Sequence, residues 1–414
     1  MMKRIVTWGA IALLMAGCSS SNDDDRWVVC PIEPQLTRGD QEMVEHNNDF
    51  AFKLMREVIT GEDVGAPPSR IVSPISITYA LGMLNNGAAG ETRQQINKVL
   101  GFENADSINN FCRKMLTLAP TLDPQTKVLI ANTIYMNKGY ELKSDFVKKA
   151  SLYYDAQPET RDFGDGKTMD VINQWASDHT EKMIDKVLDE KSFNPNAVSY
   201  LLNAIYFKGE WSSQFDKANT QSEAFHHAGW NMNMVYHPIM RQTGRFDYAA
   251  NEDYQALRMP YGNEAYVMTV ILPQAGKSIS QILQNLTAER WSSLQQSMRT
   301  KEVDVKLPRF ETKTDVDLTG MMANLGMPNA FSSMTAEFPE FCDAPTFISL
   351  MKQVARIQVN EEGTEAAAVT VIGLEKGEGP VEGPVTFHAI RPFLYVISEQ
   401  FSGAIFFIGQ FTGN

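Results

Sequence analysis

Glu361-Glu362-Gly363-Thr364-Glu365-Ala366-Ala367-Ala368-Val369-Thr370-Val371-Ile372 is the stretch from which the rest of the chain can be read. A strand-like run, Val354 to Val359, precedes it, and a segment rich in Gly, Glu and Pro follows as far as Pro384. Gly363 lacks a Cβ and can pivot through φ values closed to other residues. After it, every second residue (Thr364, Ala366, Ala368, Thr370, Ile372) is uncharged, while Glu365 has the opposite parity. Such alternation lets a strand bury one face and keep its charge in water. The side chains are small, so the segment could enter between two existing strands without overpacking the core beneath. A helix is the competing reading of this window alone, because Ala is the best helix former and Glu361, Glu362 and Glu365 suit a first turn.

Outward from this window, no Pro-, Gly- or Ser-rich linker divides the chain after about residue 40 and no repeat is present, which predicts one domain. Helical periodicity marks the first third: Phe50, Leu54 and Val58 share one face, and Ile75, Tyr79 and Met83 another. Ser73 and Pro74 supply a cap and a first-turn proline for the second of these helices. Val171, Trp175, Thr180, Met183 and Val187 predict a further helix over Asp170 to Val187. Strands are predicted at Val198 to Phe207, Ala265 to Leu272, Glu302 to Leu307, Ala355 to Val359 and Ile405 to Ile408. Helices first and strands after, with some interleaving, argue an α+β domain on largely antiparallel sheets.

Enzyme signatures are missing. There is no G-x-S-x-G elbow, zinc-binding H-E-x-x-H, phosphate loop or C-x-x-C pair, and the six histidines do not fall at metal-ligand spacings. Asp162-Phe163-Gly164-Asp165-Gly166 lacks the terminal Glu of a calcium loop. No metal or other cofactor is expected, and the missing motifs move the weight toward binding or inhibition without excluding an enzyme.

The window at 361–372 resembles the reactive-loop hinge of inhibitory serpins, and further matches run along the chain. His46-Asn47-Asn48-Asp49-Phe50-Ala51-Phe52-Lys53-Leu54 is similar to the serpin first helix. Ser73-Pro74-Ile75-Ser76-Ile77 and Met83-Leu84-Asn85-Asn86-Gly87-Ala88-Ala89-Gly90-Glu91-Thr92 resemble the second helix and its turn. Asn203-Ala204-Ile205-Tyr206-Phe207-Lys208-Gly209-Glu210-Trp211 with Phe215-Asp216 resembles a strand and turn of the main sheet. Leu307-Pro308-Arg309-Phe310, Phe387-His388-Ala389-Ile390-Arg391-Pro392-Phe393-Leu394 and Gly403 to Gly409 extend the likeness to the end.

That resemblance implies a single serpin domain over 41–414. Its fold would be α+β: a large mixed, mainly antiparallel sheet, further β-sheets, about eight or nine helices and an exposed reactive-centre loop near 361–384. It implies a suicide-substrate inhibitor of serine or cysteine endopeptidases. The target's own nucleophile forms an acyl-enzyme with the loop, and the freed hinge then enters the main sheet. By position, Glu361, Glu362, Gly363, Thr364, Glu365, Ala366, Ala367, Ala368 and Val369 form the hinge. Ser73, Ser76 and Asn203 line the shutter, Trp211 sits near the point of entry, and Glu361 faces Arg309 in an exposed pair worth about 0–1 kcal/mol. Gln353 stands where many relatives have a shutter histidine; its amide can donate and accept hydrogen bonds but does not titrate. Counting from the hinge gives Gly377 or Lys376 before the scissile bond; Leu374 and Val381 stay open because the segment is about four residues longer than in common relatives. Lys376 suggests trypsin-like targets, Val381 elastase-like ones. A non-inhibitory relative serving as a carrier or adhesion module is the alternative, and an envelope hydrolase with an unrecognised site a third.

The amino terminus carries a separate message. Lys3, Arg4 and the apolar run Ile5 to Ala16 have the layout of a secretory signal, too short to span a bilayer. Leu14-Met15-Ala16-Gly17-Cys18 resembles a bacterial lipobox, which implies removal of 1–17 and lipidation of Cys18, with Met15 larger than the residue usual there. Residues 18–40 then form an acidic tether, Ser19 to Asp25 being similar to the tag that sends some lipoproteins to the outer face of an outer membrane. A lipid-anchored, surface-exposed envelope protein is expected, with a periplasmic or secreted one as the alternative. Removing Lys3 and Arg4 leaves 35 basic against 50 acidic residues. That balance disfavours nucleic acid and heparin, which are held mainly by Lys and Arg. Apart from Cys18, Cys30, Cys112 and Cys342 remain, an odd number that cannot all pair within a chain expected to be monomeric.

Overall fold

Ser73 and Pro74 open the helix on which the molecule is built. In the computed structural model, which describes residues 30–60, 67–226, 234–364 and 383–413, Ser73 Oγ accepts from the Ser76 N–H and Pro74 is the first residue of the helix. We label three helices: α1 (Arg38–Ile59), α2 (Pro74–Asn85) and α3 (Thr168–His179). All twelve residues of α2 are buried, so the face expected from Ile75, Tyr79 and Met83 is only part of a helix wrapped on every side. Its mostly apolar sequence permits this, since a helix apolar all round belongs in a core. Thr37 and Asp40 cap α1 reciprocally, and Phe50, Leu54 and Val58 are buried from it as their spacing predicts. Helix α1 begins at Arg38, before the expected start of the domain at 41.

The predicted helix over Asp170 to Val187 is shorter than its periodicity suggested. Helix α3 ends at His179, where the Thr180 hydroxyl turns back to the Ala176 carbonyl and accepts from the Ile184 N–H. Glu181 and Lys182 then adopt positive φ, which ends the helical path. The face α3 buries carries Ile172 and Ala176, whereas Val171 is 37% exposed.

A six-stranded sheet covers one side of the core. Its strands are β1 (Lys127–Asn137), β2 (Glu159–Arg161), β3 (Ser199–Glu210), β4 (Phe310–Asp317), β5 (Leu350–Val359) and β6 (Gly363–Thr364), in the spatial order β4-β5-β6-β3-β1-β2. Strands β5 and β3 pair in parallel, as do β1 and β2, and the other pairings are antiparallel, so the sheet is mixed. A nine-stranded sheet forms the other layer and contains the strands expected near 265–272, 302–307 and 405–408. Nine α-helices are present among the described residues. The single α+β domain expected from the sequence is therefore the fold observed. Helix α2 lies in the main core with residues of both sheets, and α3 covers the outer face of β3 and β5 through Ile172, Ala176, Tyr200, Leu202 and Val354.

Candidate functional site: a seam between two central strands

Two central strands of the six-stranded sheet meet along a seam with two different halves. From Leu350↔Tyr200 to Arg356↔Tyr206, β5 and β3 are bonded directly to one another. Above that they part and admit β6: Thr364 pairs with Val359 on one side and Gly209 on the other, while Gly363 pairs with Glu210. Gly363 and Thr364, the third and fourth residues of the predicted hinge, thus already form an interior strand.

Local chemistry explains the sharp return that makes this possible. Asn360 Oδ1 accepts from the N–H groups of Glu362 and Gly363, at 2.9 and 3.1 Å, and the Asn360 N–H donates to the Gly363 carbonyl. Gly363 has φ +149°, and a Cβ there would lie 2.2 Å from the Gly209 carbonyl oxygen. Only glycine fits so close a backbone approach. Trp211 Nε1 donates to the Asn360 carbonyl at 2.9 Å, and its indole stacks on Tyr261 at 4.4 Å. The Tyr261 hydroxyl meets Thr364 Oγ1 at 2.8 Å, and burial pushes the Tyr261 phenol well above its usual range. Thr364 is fully buried, as the parity of the hinge required.

Arg309 does face Glu361, but the pair is not the exposed one expected. Glu361 is 1% exposed; Arg309 Nε and Nη2 donate to its two oxygens at 3.2 and 2.6 Å, and the Thr220 hydroxyl donates at 2.7 Å. The Asn360 turn draws Glu361 inward, and its carbonyl also accepts from the Phe215 N–H. Burial favours the neutral acid, but the Arg309 and Thr220 bonds outweigh it and hold the carboxyl below its ordinary value. Glu362 lies at the rim and pairs with Lys217.

Midway along the direct half, a row of amides crosses three strands. Pairing sets Asn132 opposite Asn203 and Asn203 opposite Gln353. Gln353 Nε2 donates to Asn203 Oδ1 at 2.6 Å and to the Ser73 carbonyl at 3.1 Å, while its Oε1 accepts from the Ser73 N–H at 3.0 Å. Asn203 Nδ2 donates to Asn132 Oδ1 at 2.6 Å and to the Ser76 hydroxyl. Ser73, Ser76, Asn203 and Gln353 thus come together from three distant segments. The amide of Gln353 bonds both backbone groups of Ser73 without carrying charge.

Asn132, Asn360, Thr220 and Tyr261 escaped the sequence reading. Asn360 alone had a local signal, an Asn two residues before a Glu-Gly step. The others carry no mark in their own neighbourhoods. Glu365, Ala366, Ala367, Ala368, Val369, the reactive-bond candidates Leu374, Lys376, Gly377 and Val381, and Cys18 lie outside the described residues. Among those residues no helix is long and apolar enough to cross a membrane, and no cluster of His, Cys, Asp or Glu could hold a metal ion. Cys112 and Cys342 are buried and form no disulfide.

The site is thus a mixed sheet in which a short strand begins between the two central members, beside a buried row of amides. The serpin (serine protease inhibitor) family model matches residues 45–413, so the chain belongs to the serpin family. Serpin B3 of Homo sapiens is 31% identical over 394 residues, covering 89% of this chain and 98% of that protein. Iripin-2 of Ixodes ricinus is 30% identical, covering 89% and 92%. Among solved structures, the thermophilic serpin tengpin in its native state superposes with a TM-score of 0.82 at 26% identity, covering 93% of this chain and 97% of that one. Native protease nexin-1 with heparin gives 0.81 at 25%, covering 91% and 100%.

Proposed function

We propose that this serpin is an inhibitor that traps serine endopeptidases as acyl-enzymes by completing the strand that Gly363 and Thr364 begin. The supporting observation is the register of Thr364. Continued downward, antiparallel to both neighbours, that register would set Ala366 opposite Ile357 and Phe207, Ala368 opposite Ala355 and Ile205, and Thr370 opposite Gln353 and Asn203. Those four apolar partners are buried to 1% exposure or less, so small uncharged side chains are what the inward positions admit. Glu365 would point outward beside Lys208 and Gln358. Insertion would exchange one parallel ladder for two antiparallel ones, which are slightly more stable per residue and double the number of strand contacts.

The protease would supply the nucleophile and the bond cleavage; the inhibitor would supply a loop that leaves faster than water can deacylate the enzyme. Incubation with trypsin-like and elastase-like enzymes, followed by a denaturing gel, tests this. A covalent complex larger than the intact chain is expected with at least one enzyme, and loop cleavage should raise the melting temperature sharply. Cleaved inhibitor and free protease in every lane, with an unchanged melting temperature, would instead identify a non-inhibitory carrier or adhesion protein.

A further inference from the structure

The seam is fastened a second time, at the end furthest from the hinge. Just before β5 and β3 begin their ladder, the Val198 N–H donates to Ser349 Oγ at 2.8 Å. Ser199 Oγ donates to the Phe347 carbonyl at 2.9 Å, and the Ser349 N–H to the Ser199 carbonyl at 3.2 Å. Three bonds therefore cross the seam within three residues, and Ser199 is fully buried. On the outer face, an open cavity of about 670 Å³ borders the same point and is lined from both sides, by Ala197 and Tyr200 and by Ser349 and Leu350. Neither serine belongs to the hinge or to the amide row.

From this we infer that Ser199 and Ser349 form a terminal rivet that sets when an inserting strand can finish. The inference rests on the inhibitory reading. Carried down from Thr364, the register on β3 and the register on β5 independently bring the same residue, Leu374, between Ser199 and Ser349. The rivet must therefore open before the last inward position can seat. Opening that end requires loss of the three bonds. Both serines are positioning residues: they act on the rate at which the sheet accepts a strand.

A readout that needs no known target is uptake of a fluorescent peptide with the sequence of residues 364–376 by the intact protein. Ser349→Ala deletes the acceptor for the Val198 N–H and should raise the uptake rate about fivefold, the effect of losing one ordinary hydrogen bond from the closed state. Ser199→Ala should act in the same direction, and Ser349→Thr, which keeps an oxygen there, should restore the wild-type rate. Melting of intact Ser349→Ala should fall while melting of the loop-cleaved form stays put, because the completed sheet no longer contains these bonds. A merely structural role would lower both forms equally. Unchanged uptake in both alanine variants, or equal loss of heat resistance before and after cleavage, overturns the rivet. If wild type neither takes up the peptide nor gains heat resistance on cleavage, the inhibitory reading fails and the rivet falls with it; if wild type does both, only the rivet is at stake.

Discussion

Above Tyr206 the two central strands of the sheet are held apart by two residues of a third, and below it they bond to each other directly. The same strands, with the same inward parity, are thus in two states of pairing within one ladder. In the upper half every inward contact is already antiparallel and Thr364 is fully buried. In the lower half the ladder is parallel and is fastened by polar side chains at Gln353 and Asn203 and again at Ser349 and Ser199. The difference teaches that, on the proposed inhibitory reading, a strand continuing from Thr364 has one starting end and one register. Polar bonds hold the lower half shut, and each contributes little on its own against a gain spread along a whole strand.

The largest expected effect comes from breaking the upper half. Thr364→Arg would force a charge into a site sealed by Tyr261, so covalent complexes should disappear and the protein should be cleaved as a substrate. The heat resistance gained on cleavage should vanish too. Undiminished inhibition by this variant would sink the comparison.

Next is the middle of the lower half. Gln353→Ala strips the partners from the buried Ser73 N–H and from Asn203 Oδ1, which should destabilise the intact protein by about 2 kcal/mol in denaturant unfolding. Because Gln353 has no proton to lose, this fastening should hold evenly from pH 5 to pH 8. A wild-type seam whose opening rate changes across that window would show that another group controls it.

A smaller and pH-dependent effect is expected at the head of the sheet. The folded Glu361 carboxyl titrates below its ordinary 4.5, so its contribution is full above that value and drains away as pH falls through the lower, folded one. Glu361→Gln should therefore be less stable than wild type by about 1–2 kcal/mol at pH 7, with the two converging in acid. Parallel melting curves at all pH values would show that the Arg309 pair adds no linkage. The smallest effect belongs to Lys217, 62% exposed and paired with Glu362. Lys217→Ala should cost no more than about 0.5 kcal/mol and leave inhibition intact.

Legibility in the sequence followed the range of the interaction. The inward position of Thr364, the Ser73–Pro74 helix start and the sharp turn at Gly363 were readable because each depends on a few adjacent residues. Helix α3 was overextended because apolar spacing continued past Thr180 while the backbone did not; periodicity records side chains, not the hydroxyl that turned the chain. Glu361 looked like a surface residue because nothing in Glu361-Glu362 distinguishes the carboxylate that turns inward from the one that stays at the rim.

By itself, then, the sequence determined that Thr364 could face inward and that the chain could turn sharply at Gly363, since these follow from side-chain size, charge and alternation along one stretch. Only the tertiary structure decided that Asn132, Asn203 and Gln353 would stand in one row, that Glu361 would be sealed beneath Thr220 and Arg309, and that two serines 150 positions apart would close the far end of the seam. Such partners meet through strand register, and register is set by the whole packed sheet, not by any spacing within a single segment.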